Sequence, residues 1–266
     1  MDAIDGGQAR RTKSSSPLGQ LFDHGCDGIL SGIVPILQAH ALGLGVSREL
    51  PLLIGLTQIL FFAGMWEEKY TGVCRTTIYG LVGTTEFMLG FIIHQFVAGL
   101  SLDLARSTRS AVLVITSFGA IVSICSSLYS VWKRTGSITP LVQLLPILIS
   151  NFAFYHLPRV SKGETFLPFI LLGLSNSFLI IQMIIASMSK TEFSLCQWAL
   201  VPPVALISLS HFGFVVGVDF WLSVVLVCFG AWLVRFLYCI TNEIAAGLGI
   251  FVFSIQGSDR IIEKSS

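Results

Sequence analysis

Residues 166–188 read FLPFILLGLSNSFLIIQMIIASM, 23 positions without one charged side chain. At 1.5 Å per residue a helix of that length covers about 34 Å, enough to cross the roughly 30 Å of hydrocarbon in a bilayer. Working outward, comparable apolar segments occur at 24–44, 51–66, 80–100, 110–132, 139–158, 197–217 and 220–240. The spacing therefore predicts an all-α, polytopic transmembrane helical bundle of about eight spans. Composition agrees. Of 266 residues, 53% are hydrophobic and 12% charged, and mean hydropathy is +0.80. Soluble domains carry about 25% charged residues, and a single soluble core of this size could not hide so much apolar surface. Soluble enzyme folds are excluded, and a net charge of +1 gives no electrostatic case for nucleic acid. The segment at 51–66 is short, and that at 139–158 carries Pro140, Pro146 and Asn151, so either is expected to be bent or partly buried in protein.

Positive charges sort unevenly between the alternate connections. Arg10, Arg11, Lys13, Lys69, Arg75, Lys133, Arg134, Lys190, Arg235, Arg260 and Lys264 fall on one side, whereas Arg48, Arg106, Arg109, Arg159 and Lys162 fall on the other. The excess of basic residues marks the first side as cytosolic. Residues 1–240 are expected to form the membrane domain and 241–266 a cytosolic C-terminal tail. Six cysteines lie in or beside apolar runs without a CxxC pair, which indicates neither a zinc site nor a disulfide framework. They read as small residues of the membrane core.

The acidic residues at the front are unusual. If residues 2–10 are helical, Asp2, Asp5, Gly6, Ala9 and Arg10 share one face at 100° per residue. Ser16 then reads as an N-cap and Pro17 as the first residue of the next helix. On that helix Gly19, Asp23 and Asp27 form a stripe with a spacing of four. Two helix faces thus each offer paired carboxylates beside a glycine. Four carboxylates at a membrane boundary are costly unless something neutralises them. Hard divalent cations do so with oxygen ligands, leaving positions for phosphate oxygens, and Arg10 adds a planar cation suited to phosphate. The residues point to metal-assisted phosphoryl transfer. The alternative is an acidic cytosolic loop with no chemistry.

The pattern Asp5-Gly6-x2-Ala9-Arg10-x8-Gly19-x3-Asp23-x3-Asp27, with Asp2 three residues upstream, resembles the signature of the CDP-alcohol phosphotransferase family. The wording DGGQARRTKSSSPLGQLFDHGCD is similar to the eukaryotic choline/ethanolamine branch, as are Trp66-Glu67-Glu68 with Tyr70-Thr71-Gly72, Thr84-Thr85-Glu86, the stretch 182–202 and the tail 242–255. The resemblance implies transfer of a phosphoalcohol from CDP-choline or CDP-ethanolamine to diacylglycerol, with release of CMP, as the last step of phospholipid synthesis. It also implies Mg2+ or Mn2+, an endoplasmic reticulum or Golgi membrane with the site facing the cytosol, and a homodimer. On it, Asp2, Asp5, Asp23 and Asp27 match metal ligands. Gly6, Ala9 and Gly19 match residues lining the cytidine, and Arg10 the arginine near the phosphates.

Three positions depart from the branch, which usually has Lys at Gly7, Glu at Gln20 and Ser at Gly28. The branch also carries an amphipathic helix, one transmembrane helix and most of a second before the motif, giving ten spans. Here Met1 abuts Asp2, so the chain is expected to be N-terminally truncated.

The acceptor hydroxyl requires a base. His24 is one candidate, since an imidazole titrates near 6.5, and Asp27 is its rival. Glu86 lies inside a span, where an unpaired charge is costly, and is expected to face the bundle interior and to orient His24 or bind the acceptor. His94 and Gln95, two turns on, either line the same interior or pack in the core. Trp66, Glu67 and Tyr70 are expected at a membrane interface. A truncated, inactive dimerisation partner remains the non-enzymatic alternative.

Overall fold

The computed structural model describes residues 11, 16–47, 49–73, 77–78, 82–155, 165–249 and 252, with 77–78 and 82–88 at backbone level. Nine α-helices follow one another among them. They are α1 (Pro17–Ala41), α2 (Glu49–Thr71), α3 (Thr84–Leu100), α4 (Leu102–Ser107), α5 (Arg109–Thr135), α6 (Leu145–Tyr155), α7 (Leu167–Met188), α8 (Val201–His211) and α9 (Val218–Leu248). One antiparallel pair of two-residue strands, β1 (Thr77–Ile78) and β2 (Val82–Gly83), precedes α3. The fold is otherwise helical, as a bilayer demands of a spanning chain.

Each expected apolar segment overlaps a helix, residues 80–81 and 156–158 lying outside those described. Among the described residues α2, α5, α7 and α9 are long and apolar enough to cross a membrane, whereas residues 89–100, 139–155 and 198–211 are shorter apolar helices. Within the stretch at 139–158 the described residues, 139–155, do not form one uniform α-helix. Thr139–Leu144 form a 3₁₀ turn with Pro140 in its first positions, and α6 begins only at Leu145. The short segment at 51–66 belongs to a 23-residue helix that runs on to Thr71 through Glu67, Glu68 and Lys69. Likewise α9 continues to Leu248, where Gly249 closes it in the left-handed region at φ 64°.

The core is built around α7, which packs against α1 and α2 and buries Leu171, Leu172, Leu179, Ile180 and Ile181 completely. Helices in lipid gain little from hydrophobic burial against each other, so close approach and interhelical hydrogen bonds decide their packing. Gly32 of α1 meets Gly173 of α7, and Gly28 leaves room for Ile180. Gln58 Nε2 of α2 donates to Gly173 O at 2.8 Å, and Ser177 Oγ lies 2.9 Å from Gly28 O. Asn176 Nδ2 donates to Asn151 Oδ1 of α6 at 3.2 Å. On the outer side, Phe178 of α7 meets Phe229, Trp232 and Phe236 of α9 edge to face.

The hydrogen bonds also give direction. Arg109 pairs with Glu49 at 2.6 Å and Ser127 with Glu67 at 2.8 Å, both 60 residues apart, so α2 and α5 run parallel. Gln20 faces Glu68 while Gln58 reaches the level of Gly32, so α1 and α2 are antiparallel. Lys69, Lys133, Arg134 and Lys190, all assigned to the basic side, therefore gather at the end of the bundle where α1 begins. Cys26, Cys125, Cys196, Cys228 and Cys239 are unpaired and exposed on the bundle surface, and Cys74 lies outside the described residues.

Candidate functional site

The beginning of α1 follows its sequence signals. Ser16 is extended (φ −140°, ψ 155°), and its Oγ accepts a hydrogen bond from Gly19 N at 3.1 Å, with Pro17 opening the helix. From that cap onward the register is set. Gly19, Asp23 and Asp27 lie one turn apart along one face, and His24 stands beside Asp23. Gly19 is exposed, and Asp23, His24 and Asp27 are half-buried. Among the described residues a Cβ at Gly19 would touch only Ser16 Oγ, at 3.5 Å.

Asp23 falls level with residues 65–67 of the antiparallel α2, the part of that helix that leads into Glu67 and Glu68. Glu67 is 2% exposed and accepts a hydrogen bond from Ser127 Oγ of α5. Glu68 Oε1 accepts from Gln20 Nε2 at 2.9 Å. Trp66, expected as an interfacial anchor, is fully buried instead, with its Nε1 donating to Pro140 O at 3.2 Å and its ring edge-on to Tyr70. The burial of Glu67 escaped the sequence reading, and its one signal was an acid within a turn of an apolar helix.

His94 and Gln95 do not join the aspartates. Gln95 Nε2 donates to Gln38 Oε1 at 3.0 Å, and Gln38 Nε2 lies 2.9 Å from His94 Nδ1. On its other side His94 Nε2 lies 3.1 Å from Thr108 Oγ1. Gln38 is 11 residues beyond Asp27, about 16 Å along the helix. This cluster closes the opposite end of the bundle, where Ala41, Ala98 and Ala105 also pack together.

Gln38 with Gln95 and Ala41 with Ala98 share an offset of 57 residues, so α1 and α3 are parallel. The same offset sets residue 86 level with residue 29 of α1, half a turn beyond Asp27. Glu86 is thus in the first turn of α3 at the depth of the aspartates, and its side chain is outside the described residues. Asp2, Asp5, Gly6, Ala9 and Arg10 also lie outside the described residues. Among the described residues no group of three or more His, Cys, Asp or Glu is arranged to hold a metal ion. Asp23 and Asp27 nevertheless fit a hard cation in donor type and spacing, as two members of a larger carboxylate set. A separate apolar cavity of about 470 Å³ between the start of α8 and α9, lined by Trp198, Pro202, Cys228 and Trp232 among others, carries no acid or histidine for chemistry.

Residues 1–132, which contain the whole aspartate motif and α1 to most of α5, match the CDP-alcohol phosphatidyltransferase family. Those residues carry that family's domain. Similar proteins extend the likeness beyond that segment. A protein named Cholinephosphotransferase 1 from Danio rerio is 28% identical over 284 residues, covering 96% of this chain and 72% of its own. Choline/ethanolaminephosphotransferase 1 from Arabidopsis thaliana is 28% identical over 296 residues, covering 96% of this chain and 75% of its own. Cholinephosphotransferase 1 from Gallus gallus reaches 41% identity over 92 residues, 34% of this chain and 26% of its own.

Proposed function

We propose that this protein transfers phosphocholine or phosphoethanolamine from the corresponding CDP-alcohol to the hydroxyl of diacylglycerol, releasing CMP. The observation that carries the reading is the Gly19-x3-Asp23-x3-Asp27 face of α1, set at one end of a membrane bundle whose relatives bear cholinephosphotransferase names. The names borne by the relatives lend nothing to the non-enzymatic dimerisation alternative.

In this reaction the acceptor oxygen attacks the β-phosphorus of the CDP-alcohol. The bond from that phosphorus to the bridging oxygen breaks, and the electron pair leaves with CMP. The hydroxyl proton passes to a base on α1. His24, beside Asp23 on that helix, is the first candidate for that role. Asp27 is the second candidate. Asp23 and Asp27, together with Asp2 and Asp5, would hold a divalent cation, Mg2+ or Mn2+, which when bound offsets negative charge on the pyrophosphate. Gly19, with Gly6 and Ala9, leaves space for the cytidine, and Arg10 contacts the phosphates. The backbone level of Glu86 supports a role in orienting His24 or the acceptor.

The basic end of the bundle carries this site, which supports a cytosolic orientation in an endoplasmic reticulum or Golgi membrane. The working unit is a homodimer. The test is reconstitution of the chain in phospholipid vesicles with diacylglycerol, Mg2+ or Mn2+, and labelled CDP-choline or CDP-ethanolamine. Labelled phospholipid and equimolar CMP are expected. Absence of both products with either nucleotide and either metal would overturn the reading.

A further inference from the structure

The apolar cavity of about 470 Å³ has two walls. On α9, Val225, Cys228, Phe229 and Trp232 fall at spacings of three and four and share a face, opposite Trp198 and Pro202 at the start of α8. From Val224 to Trp232 the α9 wall runs about 12 Å along the helix axis, the direction in which a spanning helix crosses the bilayer. Of the lining side chains only Trp198, Trp232 and Cys228 carry a polar atom. The inner side is firm, since Phe229 is buried and both it and Trp232 meet Phe178 of α7 edge to face. The outer side is open. Trp198, Pro202 and Cys228 are exposed, and 11% of the apolar window of α9 is buried within the described residues, so the opening faces the hydrocarbon around the bundle.

Trp198 follows Lys190 by eight residues and so lies toward the basic end, where tryptophan suits the level at which headgroups meet hydrocarbon. Arg235 is exposed and stands seven residues after Cys228, two turns farther toward that end on the same stripe of α9. An apolar slot, a pair of indoles and a guanidinium therefore follow one another along the membrane normal. A glycerophospholipid has its parts in the same order, and a guanidinium suits a phosphate. We propose that the cavity holds one acyl chain of a membrane glycerophospholipid whose phosphate meets Arg235. At about 30 Å³ per water-sized group, the volume takes on the order of fifteen methylenes. A helix from a second copy, about 10 Å across, would need roughly twice that volume over the same length. An extended peptide would bring N–H and C=O groups that find no partners there. The site is independent of the transferase reading, because neither the cavity nor Arg235 belongs to the aspartate face.

The test places the full chain in vesicles of phosphatidylcholine bearing a diazirine on one acyl chain, with labelled residues mapped by mass spectrometry after irradiation. Labelling is expected to be severalfold stronger at Trp198, Pro202 and Cys228 than at Val227 and Val234, which are exposed on the opposite flank of α9. After exchange into detergent, native mass spectrometry is expected to find one phosphatidylcholine retained per chain. Val225→Trp, which fills the slot, should lose it. Arg235→Gln, at an exposed position, should weaken retention about tenfold, as loss of a hydrogen bond to a charged group does. Diacylglycerol, which lacks the phosphate, should compete poorly. Labelling as strong at Val227 and Val234 as in the slot overturns the site, and this comparison on the wild type stands even if Val225→Trp fails to fold. A wild type that retains no phospholipid, or crosslinks from Cys228 to a second copy in place of lipid, does the same. Unchanged retention in Arg235→Gln, or equal competition by diacylglycerol, overturns the phosphate contact.

Discussion

Gly32 of α1 and Gly173 of α7 meet backbone to backbone, so closely that a Cβ added at Gly32 would stand 2.9 Å from Gly173 Cα and 2.9 Å from Gln58 Nε2. Neither atom is the loose end of a flexible chain. Gln58 is held by its bond to Gly173 O, and the Gly173 backbone is part of the most buried helix of the bundle. This contact seats α1, and therefore Asp23 and Asp27, against the core.

Gly32→Ala is accordingly expected to destabilise the bundle by about 1–3 kcal/mol, the usual cost of overpacking. Gly64→Ala is the matched control. Among the described residues nothing lies within 4 Å of an added Cβ there, and alanine is the better helix former by up to about 1 kcal/mol. Thermal unfolding in detergent compares the two, and a stable Gly32→Ala protein would contradict the close contact.

At the other end, His94→Ala is expected to act on stability and not on turnover. Removing the ring deprives Gln38, which is 0% exposed, of one of its two side-chain partners. The cost of such a buried amide is about 1–3 kcal/mol. Because the ring sits about 16 Å from Asp27 along α1, kcat per folded molecule should stay close to that of wild type. A collapse of kcat with unchanged unfolding would place His94 in the site after all.

His24→Ala should do the reverse. Loss of a general base lowers turnover by about 10²–10⁴-fold. Affinity for the CDP-alcohol, which His24 is not assigned to hold, should change little when measured by calorimetric titration. An undiminished rate would transfer the base role to Asp27.

These contrasts show what the amino-acid order could reveal. Ser16-Pro17 announced the start of α1 because a cap and a proline act within one turn, and the spacing of Gly19, Asp23 and Asp27 placed them on one face for the same reason. The end of α2 was not legible. Glu67, Glu68 and Lys69 read as a charged connection, and the partners that keep them helical, Ser127, Gln20 and Thr191, lie 48 to 122 residues away. Trp66 was misplaced at an interface because tryptophan suits both a headgroup and a buried carbonyl, and only the position of Pro140 decides between them. His94 stood two turns from Glu86 on the same helix, and nothing local distinguished the aspartate end from the end closed by Gln38 and Thr108.

The most direct test of the account is phospholipid formation by Asp23→Asn and Asp27→Asn proteins in vesicles, each present in the membrane at the wild-type level and supplied with CDP-choline or CDP-ethanolamine, diacylglycerol and divalent cation. Amides keep the size of these half-buried side chains but surrender the charge that a cation would require. Product is expected to fall to background in both variants. Wild-type rates in either one would contradict the assignment of this face of α1 as the site of transfer.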